Sequence, residues 1–154
     1  MLTPSFSIRI CNWDEARAEA RRVRELVFVH EQGVPLELEC DEQDPHCEHA
    51  LAHTPEGLAI GTARLLPDGH IGRMAVLEAW RGLDVGALLL QALVKLARDH
   101  GHATVRLNAQ IQAAGFYRRF GFEAAGPEFI EAGIPHVAMR LDLISARGES
   151  AGRP

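Results

Sequence analysis

Ile71-Gly72-Arg73-Met74-Ala75-Val76-Leu77-Glu78-Ala79-Trp80-Arg81-Gly82-Leu83-Asp84-Val85-Gly86-Ala87 is the stretch whose reading decides the fold. A strand ends near Leu77, a turn follows, and a glycine-bearing loop opens a helix. That helix runs from Val85 to His100 and is apolar almost all round (Val85, Leu88, Leu89, Leu90, Leu93, Val94, Leu96). Such a helix is expected to lie buried against a sheet. Gly101 is its expected C-cap, with Lys95, Arg98 and His100 in the last turns. Ala103 to Asn108 reads as the next strand, so the crossover from Leu77 to Ala103 is expected to join parallel strands. The first turn of the helix leaves backbone N–H groups unpartnered, and its dipole favours an anion there. Glycine lets a phosphate approach the backbone, and Arg81 at the loop entrance suits phosphate charge. Taken alone, a glycine loop before a helix also describes a plain tight turn.

On the N-terminal side, the alternation Phe6, Ile8, Ile10 within Ser5 to Cys11 predicts a first strand. Asn12 and Glu15 form a capping-box start, and the helix is expected to run to about His30, with Ala16, Ala20, Val23, Val27 and His30 on one face. Gln32-Gly33-Val34-Pro35 stops it. Leu36 to Glu48 is acidic (Glu37, Glu39, Asp41, Glu42, Asp44, Glu48) and reads as a solvated loop or one short helix. Three strand candidates follow, His49 to His53, Leu58 to Leu66 and His70 to Leu77, separated by Pro-x-Gly and Pro-Asp-Gly turns. They predict an antiparallel meander.

On the C-terminal side a short helix is expected from Gln112 to Phe120, closed by Gly121, and then strands Phe122 to Ala125 and Pro135 to Leu143 joined by a Gly/Glu-rich loop. Ser145 to Pro154 is small and polar and is expected to be disordered. The Arg81-x-x-x-x-Gly86 loop, the apolar helix, the strand ending at Asn108 and the run Gly115-Phe116-Tyr117-Arg118-Arg119-Phe120-Gly121-Phe122 together resemble the GNAT (GCN5-related N-acetyltransferase) superfamily. The resemblance spans about Ser5 to Leu143. Glu31-Gln32-Gly33-Val34 and Gly133-Ile134-Pro135-His136 are similar to a subgroup of small bacterial GNAT enzymes of unassigned substrate.

The resemblance implies a single mixed α/β domain over 1–144. Its expected core is a mostly antiparallel sheet of about seven strands with a parallel pair at its middle, flanked by about four helices. It implies an acetyl-CoA co-substrate. Met74, Ala75 and Val76 would meet the pantetheine arm, and the loop Arg81, Gly82, Leu83, Asp84, Val85, Gly86, Ala87 would hold the pyrophosphate. Asn108 and Phe116 would line the far side, and Tyr117 would protonate the departing thiolate, a task that suits a neutral phenol. One departure is Asp84, where the family loop carries glycine. Aspartate tolerates positive φ, and its side chain is expected to turn outward and cap the helix.

The base that deprotonates the acceptor is left among Glu31, His49, Glu128 and His136. Arg64 and Arg73 would favour an anionic acceptor if they face its pocket; otherwise they sit on a solvated face or pair with the acidic segment. Phe28 lies in Val27-Phe28-Val29-His30-Glu31-Gln32, a segment similar to that of synthases of acylated signalling lactones. That similarity carries a second reading, an acyltransferase using longer acyl chains, and Asp84 carries a third, a non-catalytic acyl-CoA binder. Cys40, Asp41, Asp44, His46, Cys47 and His49 lie close in sequence, but their spacing is no standard zinc pattern, and no metal is expected.

Composition bounds the partners. The formal net charge of -5 argues against nucleic acid and anionic membranes, and a small-molecule amine is the expected acceptor. Three cysteines, Cys11, Cys40 and Cys47, make no disulfide framework, and none has a neighbour that would activate it as a nucleophile. Met1 to Ile10 lacks the character of a signal peptide, and no apolar run approaches the length of a membrane span, so a cytoplasmic location is expected. Pairing into a homodimer is left open.

Overall fold

The computed structural model describes residues 5–39 and 41–143. The expected disordered tail lies outside them. The chain forms strands β1 (Ser7–Cys11), β2 (Glu48–His53), β3 (Ala59–Leu65), β4 (Ile71–Val76), β5 (Thr104–Gln110), β6 (Glu123–Glu131) and β7 (Ile134–Asp142). Helices α1 (Trp13–Arg24), α2 (Leu36–Glu39), α3 (Val85–Asp99) and α4 (Ala114–Arg118) accompany them. Among the described residues no helix is long and apolar enough to cross a membrane.

One expectation about the sheet is corrected. The strands form two sheets, β1-β2-β3-β4 and β5-β7-β6, whose strand pairs are all antiparallel. The parallel contact between β4 and β5 is reduced to a single bridge, His70 with Arg106, at their N-terminal ends. Beyond it the strands part. The cause is a bulge: Thr62 faces Ala75 but Arg64 faces Gly72, so β4 carries an extra residue there. Arg73 sits in that bulge at φ 49. A bulged strand bends and twists more strongly, which turns the second half of β4 away from β5.

Helix α3 closes the core over both sheets. Val85, Leu89, Leu90 and Leu93 are buried with Ile60, Ala63, Leu107 and Met139. Gly61 lets α3 lie close on β3, because a Cβ there would stand 3.0 Å from Val85 Cγ1 and 3.1 Å from Leu89 Cδ1.

Helix α1 starts at the expected Asn12–Glu15 capping box. From Glu25 to Glu31 the chain widens into a π-helix, a form that is rare and concentrated at functional sites. The widened turn leaves His30 exposed, although it shares the α-helical periodicity of buried Val23 and Val27. The expected Gly/Glu-rich loop is instead mostly strand: β6 continues to Glu131 and turns into β7 through Ala132 and Gly133, both at positive φ.

The acidic segment is the largest correction. It holds the short helix that was one of the two expectations, α2, and Glu37 and Glu42 are exposed, but it is not solvated throughout. Glu39 and Asp44 are buried, at 2% and 3% exposure, with Arg24 of α1 at 1%. Arg24 Nε donates to Glu39 Oε2 at 2.5 Å, and its Nη1 and Nη2 donate to both oxygens of Asp44 at 2.9 Å. Arg64 bridges Asp41 and Asp44 at 2.8 Å. Arg73 donates to Asp41 at 3.0 Å and to the carbonyls of Leu38 and Glu39 at 3.3 Å. Removing one partner of such a buried set strands the opposing charges. Arg24→Leu is therefore expected to cost about 3–5 kcal/mol, read as a lower urea midpoint.

Hydrogen bonds from Arg64 hold the Asp41 carboxyl at about 2, against an ordinary 3.8. A depressed folded pKa stabilises above the unfolded value and is lost as pH falls through the folded one. Stability should therefore hold down to about pH 4 and decline between about pH 4 and 2. Asp41→Asn should flatten that decline in acid-unfolding curves.

Candidate active site

The gap between β4 and β5 is a cleft of about 1030 Å³. The β4 backbone forms one wall. Leu77 N–H donates to the Ile60 carbonyl, so by strand alternation the Val76 N–H points the other way, toward the gap. The Val76 carbonyl, on the same side, accepts from Arg81 Nε at 2.9 Å. Met74 lies one pleat back and also lines the cleft.

At one end the cleft meets the start of α3. Gly82 and Asp84 are at φ 78 and 71, which curls the loop beneath the helix. Gly82, Asp84, Val85, Gly86 and Ala87 line the cleft, whereas Leu83 does not. Asp84 occupies the N-cap position in left-handed conformation, as its positive-φ tolerance suggested. Its side chain makes no capping hydrogen bond, which corrects the expected cap. In the left-handed conformation the carboxylate does not lie in the extended geometry from which an N-cap side chain reaches the N2 and N3 amides. The amides of the first turn of α3 thus remain without a side-chain cap, an arrangement that fits an anion. Arg81 is less free than the sequence suggests. Its two Nη groups grip Glu31 at 2.5 and 2.6 Å, and that pairing holds the Glu31 carboxylate below its usual range.

In the other wall, Tyr117 and Phe116 project from α4 into the cleft. Tyr117 Oη donates to Met74 Sδ at 3.7 Å, and burial pushes the phenol up to about 12. Phe116 packs at a tilt against Phe120, and Arg119 lies over its ring at 5.6 Å. Arg119 is a lining cation that no motif in the sequence singled out.

The remaining wall comes from the π-helix and the second sheet. Phe28 and Gln32 reach the cleft, and Gln32 exchanges amide hydrogen bonds with Gln110 of β5. The π-bulge is the structural signal here, and no residue type in the sequence announced it. Asn108 lines the cleft and donates to Glu131 at 3.3 Å. His136 lies opposite Gln110 in register, buried and stacked on Phe129. Arg64 and Arg73 line the cleft too, but their guanidinium groups are taken up by the acidic segment.

The other predicted residues fall elsewhere. Glu31 is outside the lining and touches it through Arg81. His49 is buried against Trp13, with Nε2 on the Asp44 carbonyl, and Glu128 is exposed on β6. Asp44 is saturated by arginines, and Cys47 donates to the Gln43 carbonyl, so these residues of the Cys/His/Asp cluster already have protein partners. Cys40 lies outside the described residues. Burial raises the Cys47 thiol to about 11 and also raises that of Cys11, which keeps both protonated and poorly nucleophilic.

The comparisons with known proteins agree with this geometry. Residues 18–143 match the acetyltransferase (GNAT) domain family. The chain belongs to the GNAT acetyltransferases. It is 40% identical over 133 residues to the uncharacterized N-acetyltransferase YjcF of Bacillus subtilis, covering 84% of this chain and 94% of that one. Among solved structures it is similar to Escherichia coli ElaA, at TM-score 0.80 and 27% identity over 90% of this chain and 100% of the other. It is likewise similar to an acyl-CoA N-acyltransferase from Pseudomonas aeruginosa, at TM-score 0.79 and 28% identity over 89% and 99%. Membership of the GNAT acetyltransferases makes acyl transfer its class of chemistry.

Left-handed backbone at Asp84 costs this GNAT protein energy that glycine would not. Asp84→Gly is expected to raise stability by about 1 kcal/mol, seen as a higher urea midpoint.

Proposed function

We propose that the protein is an acetyl-CoA-dependent N-acetyltransferase that moves an acetyl group to a primary amine by direct transfer in a ternary complex. The observation that carries this reading is the cleft itself, where an open β4 edge, the uncapped start of α3 and a half-buried tyrosine share one space. Acetyl-CoA supplies the activated acyl thioester. The first-turn amides of α3, at Val85, Gly86 and Ala87, suit its phosphates. The exposed Asp84 carboxylate stands beside them without contributing to the helix cap.

On this reading the Val76 N–H, or that of Met74, holds the carbonyl oxygen as it gains charge. A fixed backbone donor is worth most where charge develops in a partly dry site. Tyr117 faces the departing sulfur. Its proton is retained at every working pH, because burial disfavours the phenolate. It therefore offers a hydrogen bond first and hands over the proton as thiolate charge builds. With the thiols of Cys11 and Cys47 buried and protonated, attack by the amine itself is favoured over an acyl-cysteine route.

Calorimetric titration should show acetyl-CoA binding at micromolar affinity with one site per chain. Tyr117→Phe should bind it within about twofold of the parent yet release thiol at least ~10²-fold more slowly. An unchanged rate would remove Tyr117 from the reaction, and no binding at millimolar coenzyme would remove the donor.

A further inference from the structure

We infer that His136 is the base that takes the proton from the acceptor's ammonium group, an inference that rests on the acyl-transfer reading above. An amine protonated at neutral pH has no lone pair with which to attack a thioester, so some group in the cleft must relieve it of a proton.

The placement of His136 follows from strand register. Directly opposed residues of an antiparallel pair share a face. Leu107 with Met139, and Ala109 with Val137, point into the core. Gln110 with His136, and Asn108 with Ala138, therefore point to the opposite face, which is the face of the cleft. Gln32, which closes the π-helix, meets Gln110 there.

The tautomer follows from one hydrogen bond. His136 Nδ1 lies 2.6 Å from the Ile134 carbonyl oxygen. A carbonyl only accepts, so Nδ1 carries the hydrogen, and Nε2 of the neutral ring keeps its lone pair. The ring is further held by stacking on Phe129, centroid to centroid 5.8 Å. A buried imidazole whose Nδ1 is pinned to the backbone, leaving Nε2 as the nitrogen that exchanges a proton, is arranged as a base.

The other candidates are engaged or elsewhere. Both oxygens of Glu31 are gripped by Arg81. His49 is buried behind Trp13, away from the cleft lining. Glu128 is exposed on β6, also outside that lining. Three further carboxylates do line the cleft, and one of them, Asp84, is exposed at the start of α3. Glu39 is buried in the grip of Arg24, and Glu131 is exposed at the end of β6 and accepts from Asn108. Arg64, Arg73, Arg81 and Arg119 also line the cleft, Arg140 and Asp142 lie on β7, Glu123 on β6 and Arg106 on β5, and none of these charged groups hydrogen-bonds to His136.

The proton balance closes. Two protons leave the nitrogen as an ammonium becomes an amide. The first passes to His136 Nε2 and on to solvent. The second, by way of solvent, replaces the one that Tyr117 gives to sulfur as the C–N bond forms and the C–S bond breaks.

The test compares two nucleophiles with acetyl-CoA, reading thiol release. Benzylamine is protonated at neutral pH, whereas hydroxylamine is not and needs no base. His136→Ala is expected to lose ~10²-fold or more with benzylamine, to regain part of that loss on adding imidazole, and to match the parent with hydroxylamine. Its calorimetric acetyl-CoA affinity should be unchanged. Equal losses with both nucleophiles would make His136 a structural residue, and no loss with benzylamine would place the base elsewhere; either overturns the inference. Nitrogen-15 spectra of the folded protein give a test that needs no acceptor: a hydrogen on Nδ1 is expected, and a hydrogen on Nε2 would overturn it. A parent protein that releases no thiol with any nucleophile would instead overturn the acyl-transfer reading, and this inference with it.

Discussion

The bulge at Arg73 is the constraint on which the site depends. Held in left-handed conformation, Arg73 bears a backbone cost of roughly 1–2 kcal/mol. Its guanidinium offsets that cost by donating to Asp41 and to the carbonyls of Leu38 and Glu39. Were β4 regular there, its edge would be free to continue pairing with β5 beyond His70 and Arg106, and the two sheets would merge into one. The cleft exists because that pairing stops. The same break leaves the Val76 amide facing open space rather than a neighbouring strand.

The ion cluster behind the bulge ties α1, α2, β3 and β4 into one body. Three guanidinium groups, of Arg24, Arg64 and Arg73, meet three carboxylates, of Glu39, Asp41 and Asp44. Burying such charges is expensive unless each is paired in good geometry, so the cluster contributes less to net stability than to the uniqueness of the arrangement. Its neutrality also shapes the cleft. Arg64 and Arg73 line the wall with their charge already paired, and Arg81 is occupied by Glu31 and Val76. Attraction for an anion at that end of the cleft therefore falls to the α3 backbone. Among the described residues Arg119, exposed over Phe116, is the lining arginine with no carboxylate in its grip.

Much of this was legible in sequence, for reasons that differ by element. The capping box at Asn12 and the apolar run of α3 are local signals, and the two helices form where those signals stand. The run from Gly115 to Phe122 marked Phe116 and Tyr117 as cleft residues because its spacing belongs to a family pattern. The acidic segment misled because charge runs are usually solvated, and its partners are distant in sequence. A trace was present: Arg24 stands four residues after Ala20 on the stripe that buries Ala16 and Ala20. An arginine on an apolar stripe asks for a buried carboxylate, and Glu39 and Asp44 supply it.

The order of the elements, the family, the glycine loop before α3 and the aromatic pair of α4 are written locally, because each rests on residues near one another along the chain. The parting of β4 and β5, the pairing of the cleft-lining Arg64 and Arg73 with carboxylates, and the placement of His136 rather than His49, Glu31 or Glu128 in the lining arise in the folded chain. Those outcomes depend on strand register and on pairing between charges distant along the chain. Register and long-range pairing are properties of the assembled sheets, and no local stretch of chain encodes them alone.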